Sequence, residues 1–123
     1  MTIEQIIVRN WEDRKERILI CFHEWVPKLL ADPDYELAWS DSLFDEAAEL
    51  KLITMYLPWF KGETAPDFAG DRLEQAIKDL SRDLESRARS RASSTSATTN
   101  RMEDARRVAL AKIVEYLKRQ QTA

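Results

Sequence analysis

The chain has 123 residues, with 22 acidic and 19 basic side chains and a net charge of −3. That length predicts one domain, 1–123, able to bury roughly 65% of its unfolded surface, so a core without cross-links is expected. A single cysteine, Cys21, excludes an internal disulfide and points to a reducing compartment, and a single histidine, His23, excludes sites built from paired imidazoles.

The first residues lack the basic start and apolar core of a secretory signal. Nothing from Leu52 to Phe60 is charged, but that run is far short of the roughly 20 residues that span a bilayer. A soluble cytoplasmic protein with no membrane partner is the expectation.

In chain order, Thr2 with Gln5 forms a capping-box pattern. Ile3, Ile6, Ile7, Trp11, Ile18, Phe22, Trp25 and Val26 follow at helical spacing. This predicts a first helix near 3–25, which Pro27 kinks or ends. Asp32, Pro33 and Asp34 predict a connection with at most one helical turn around 35–39. A central helix follows near 42–57, with Ser42 and Asp45 at its start and Pro58 and Gly62 as its stop. Leu43, Phe44, Ala47, Ala48, Leu50, Ile53, Tyr56 and Leu57 mark its side for burial.

Residues 61–70 contain both glycines and read as a loop. Asp71 and Glu74 then cap a third helix near 71–90, with the narrow stripe Leu73, Ala76, Ile77, Leu80 and Leu84. The polar run 92–100 predicts a mobile turn. Asn100 starts a fourth helix near 101–119, with Met102, Ala105, Ala109, Ile113, Tyr116 and Leu117 on one side. The fold class is all-α. An irregular four-helix bundle is expected, made of an aromatic-rich part (1–68) and a C-terminal antiparallel helical hairpin (71–119). The hairpin's narrow seams look under-buried in a lone chain, which predicts a homodimer or docking onto a larger partner.

Charge is unevenly spread. Residues 32–70 carry nine acids against Lys51 and Lys61, whereas 71–123 carry twelve bases against eight acids. The two parts can attract each other or face separate partners. The acids Asp45, Glu46 and Glu49 favour the positive end of the central helix. All four tryptophans lie before residue 60, and Trp39, Trp59, Phe60 and Phe68 lie in or beside predicted loops. Aromatic residues are enriched at binding hot spots, so these four beside Asp45, Glu46 and Glu49 form the candidate docking site for another protein.

Little is left for catalysis. Cys21 and His23 lie about 200° apart on a helix, so they can form neither a nucleophilic pair nor a metal site, and no cofactor or metal is expected. Gly62 and Gly70 are too far apart for a phosphate-binding loop. The basic residues Arg87, Arg89, Arg91 and Arg101 gather at the expected hairpin tip, where they suit nucleic-acid phosphates or an acidic protein surface. The segment Arg17–His23, RILICFH, carries an Arg-(four to six residues)-His spacing that resembles the active motif of HEPN-type ribonucleases, small helical bundles that act as dimers. By that resemblance Arg17 and His23 would together bind and protonate the scissile phosphate. That family usually has a polar residue after the arginine, where this chain has Ile18. The favoured expectation is a non-enzymatic protein–protein interaction module, an adaptor, inhibitor or regulator. Nucleic-acid binding through the hairpin tip is the second, and RNA cleavage the third.

Overall fold

The computed structural model describes residues 1–31, 36–89 and 97–122. Four helices account for most of them: α1 (Ile3–Ala31), α2 (Glu36–Lys61), α3 (Arg72–Arg89) and α4 (Ala97–Thr122). The all-α bundle expected from the sequence is what forms.

Two helix starts follow from local chemistry. Thr2 donates its amide to Gln5 Oε1 at 2.9 Å, and Gln5 returns its own amide to Thr2 Oγ1 at 3.2 Å. Asp71 Oδ1 accepts the amides of Leu73 and Glu74 at 3.0 and 3.2 Å. Each cap satisfies donors that the first turn of a helix leaves without a partner.

The ends of α1, α2 and α4 differ from expectation, each towards a longer helix. α1 does not end near Trp25 but runs through Pro27 to Ala31, because a proline removes one backbone hydrogen bond while the turns on either side keep theirs. α2 begins at Glu36, not Ser42, and ELAWSD contains no glycine or proline to prevent it. Residues 32–35 lie outside the described residues. At its other end α2 passes Pro58 and stops at Lys61. The ring of Phe60, 4% exposed, meets Trp11 edge-on with centroids 5.3 Å apart, and this burial holds the last turn in place. The stop is a Schellman motif at Gly62, whose φ is +79°. Gly62 N donates to Trp59 O and Glu63 N to Pro58 O. α4 begins at Ala97, so Asn100 lies inside the helix rather than capping it. The predicted turn at 92–100 is thus helical from 97, and 92–96 lie outside the described residues.

α2 packs lengthwise between α1 and α4, α3 packs along α4, and the α1–α4 and α2–α3 meetings are slighter. The core joins Ile7 and Trp11 of α1 with Ile53, Leu57 and Phe60 of α2. It continues through Leu73, Ala76 and Leu80 of α3 to Leu110, Ile113, Val114 and Leu117 of α4. α4 has neighbours on two sides and so buries two adjacent stripes. Ala105, Ala109, Ile113 and Leu117 belong to the predicted stripe, whereas Leu110 and Val114 lie beside it. This corrects the expectation of under-buried hairpin seams: α4 lies against α2, and both seams are buried within one chain except at Met102, which is 42% exposed. On α2, Ile53 and Leu57 are buried as expected, but Ala47 is exposed.

Candidate docking surface

The acids at 45–49 turn inward. Glu49 is only 7% exposed. Arg14 grips it through Nε–Oε1 at 2.8 Å and Nη2–Oε2 at 2.9 Å, and Lys112 adds a bond to Oε2 at 3.1 Å. Burial alone would raise the Glu49 pKa, but the bonds from Arg14 and Lys112 outweigh it and hold the carboxyl below its ordinary value. The same bond to Glu49 raises the pKa of Arg14. One turn earlier, Glu46 Oε2 is sealed from solvent with no hydrogen-bond partner among the described residues. Burial raises its pKa against the lowering pull of Arg14. Asp45 accepts from Arg101 at 3.4 Å. Of the three acids assigned to a docking surface, Glu49 is thus spent on joining α1, α2 and α4, and Asp45 is bound to α4.

The aromatic half of the expected site is also reassigned. Phe60 belongs to the core, as above. Trp59 and Phe68 are half-buried, with centroids 4.9 Å apart, and Arg72 lies over both rings, at 4.5 and 5.6 Å. Its Nη1 donates to the carbonyls of Trp59 and Thr64, its Nη2 donates to that of Ala65, and Trp59 Nε1 donates to Arg72 O at 2.9 Å. This clamp folds the 62–71 loop onto the end of the bundle. At Gly70 a Cβ would lie 2.9 Å from Phe68 Cζ, so a larger residue there makes the Phe68 ring shift. Arg72 carried no sequence signal, because its partners are backbone carbonyls that only the folded loop gathers. The side chain of Trp39 lies outside the described residues.

At the hairpin tip, Arg87 binds Asp83 at 3.1 Å and Glu103 at 3.0 Å, and Arg101 binds Asp45. Arg106 and Arg107 pair with Glu103 and Asp104. Two of the four arginines expected to meet phosphates are therefore matched by acids of the same chain. The side chain of Arg89 and the whole of Arg91 lie outside the described residues.

The outer side of α1 is open. An open groove of 630 Å³ runs between α1 and the end of α2, lined by Leu19, Ile20, His23 and Leu57 and edged by Glu12, Lys15, Glu16, Glu24 and Lys61. Leu19 and Ile20 are 47% and 51% exposed, and Val26 beyond them is 44% exposed. Lys61 bridges to Glu12 at 2.7 Å across one end. His23 lines the groove, whereas Arg17 does not, and six residues along a helix set the two side chains about 120° apart. Helical spacing placed Ile18 on the buried face and left Leu19 and Ile20 off it, but it gave no sign that these two line a groove with Leu57 of α2. Ile18 is buried.

Among the described residues no group of three or more His, Cys, Asp and Glu side chains is placed to hold a metal ion, and no helix is long and apolar enough to cross a membrane. Comparison with protein families, curated proteins and solved structures gives no significant match in any of the three.

Proposed function

We propose that the protein is a non-enzymatic protein–protein interaction module that docks its partner in the α1–α2 groove. The observation that carries this reading is the exposed pair Leu19 and Ile20 beside Leu57, an apolar floor edged by charged side chains. Isolated apolar residues are ordinary on a protein surface, but here three side chains from two helices line one concavity. The groove follows α1, so a helix laid along it meets apolar side chains at successive turns. Asp45 and Glu49, first assigned to docking, are engaged in ion pairs within the bundle, whereas the groove keeps Leu19 and Ile20 exposed.

A photo-crosslinking amino acid in place of Ile20, compared with one at exposed Gln121, tests the reading in cells of the native host. Protein adducts that form from position 20 and are lost from position 121 are the expected result. Equal adducts at the two positions, or none at either, would refute it.

A further inference from the structure

We infer that the groove is filled by α1 of a second copy of this chain, laid antiparallel about a two-fold axis at the level of Leu19 and Ile20. This rests on reading the groove as a docking surface and names its occupant.

The exposed face of α1 has a layout that fits a second copy of itself. At about 100° and 1.5 Å per residue, Glu16 and His23 lie within about 20° of each other on the face, each about 5 Å from its midpoint. Leu19 and Ile20 flank that midpoint, about 50° to either side. The acids on the centre line, Glu12 and Glu16, are at one end, while the other end carries His23 and Pro27. Two such faces are self-complementary when antiparallel. Each Glu16 carboxylate then meets the imidazole of His23 in the other copy, at the same height along the pair. Leu19 and Ile20 of both copies meet at the centre. A parallel pairing would instead stack Glu12 and Glu16 on their own equivalents, where like charges repel.

Neither Glu16 nor His23 has an ion-pair partner among the described residues, so both are available across the interface. Glu12 is already satisfied by Lys61. An antiparallel arrangement closes after two copies, because each uses the same surface and leaves none over. The buried stripes of α3 and α4 are spent internally and are not free for self-association.

The register is tested with the full chain by sedimentation equilibrium. Wild type is expected to dimerise. Glu16→Lys sets a cation against the imidazole and His23→Glu sets an acid against an acid, so each variant alone should dimerise at least about tenfold more weakly. Mixed in equal amounts, they should recover the wild-type affinity. In the mixed pair the cation introduced at position 16 of one copy faces the acid introduced at position 23 of the other, while the remaining contact is the native one between His23 and Glu16. Both sites are exposed, and an unchanged circular dichroism spectrum shows that the variants fold. A wild type that stays monomeric, or a mixture no tighter than the single variants, overturns the proposal. Photo-crosslinking at position 20 separates the two levels of the argument. An adduct of doubled mass supports the second copy. An adduct with a different protein alone overturns the second copy but leaves the docking surface standing, and no adduct overturns both.

Discussion

The Arg14–Glu49–Lys112 cluster makes an asymmetric prediction. Glu49 is the buried member, with 9% of its side chain exposed, whereas Arg14 and Lys112 keep 38% and 56%. Replacing Arg14 by Leu leaves a buried carboxylate with Lys112 alone. Breaking a buried pair from one side costs about 3–5 kcal/mol, and Lys112 retains part of the pairing, so the expected loss is about 3 kcal/mol. Glu49→Leu is different, since the two cations left behind turn to solvent and a leucine of similar volume fills the space between helices. That change should cost under about 1 kcal/mol. The double variant should then be more stable than Arg14→Leu alone, by about 2 kcal/mol. Urea unfolding followed by circular dichroism measures all three. With a slope of about 1.5 kcal/mol/M, Arg14→Leu lowers the midpoint by about 2 M, the slope itself being unchanged. If Glu49→Leu proves as costly as Arg14→Leu, the penalty does not come from a stranded charge and the reasoning fails.

Other outcomes follow from the same geometry. The Glu49 pKa is lowered by folding, so its contribution is present above the unfolded carboxylate value, near about 4.3, and is lost as pH falls through the folded one; stability lost on acidification should be smaller in Glu49→Leu than in wild type. The Glu46 pKa is raised, so the sign reverses: Glu46→Gln should stabilise the protein at neutral pH, a gain that disappears as pH falls below the unfolded carboxylate value, read from thermal melts across that range. Gly62→Ala meets no atom within 4 Å, so only its left-handed φ opposes it, and unfolding should show a loss of about 1 kcal/mol. Arg72→Lys keeps the charge but loses the planar fork that reaches three carbonyls; amide exchange across 62–71 should accelerate about tenfold while exchange in the core of α4 stays unchanged.

How legible the molecule was depended on the range of the interaction involved. Caps are local, and Thr2–Gln5 and Asp71 could be read off because donor and acceptor lie within three residues. The stripes of α3 and half of α4 were legible through their period. The end of α2 at Pro58 was misjudged, since a local penalty was weighed without the distant contact that offsets it, as Trp11 does for Phe60. The docking residues were misjudged for a related reason. Near loops, an aromatic or an acid looks free until another helix is brought against it, and Arg14, Lys112 and Arg72 come from positions remote in the chain.

The order of residues by itself determined that this chain is helical, where two of its four helices are capped, and that it lacks the residue types for a histidine-rich or glycine-loop site. Those properties depend on groups a few residues apart. Only the packed bundle decided that Glu49 is buried, that Phe60 belongs to the core, and that Leu19 and Ile20 line a groove with Leu57 of α2. Burial is a property of neighbours, and for α1 those neighbours are side chains of α2 and α4, dozens of residues further along the chain.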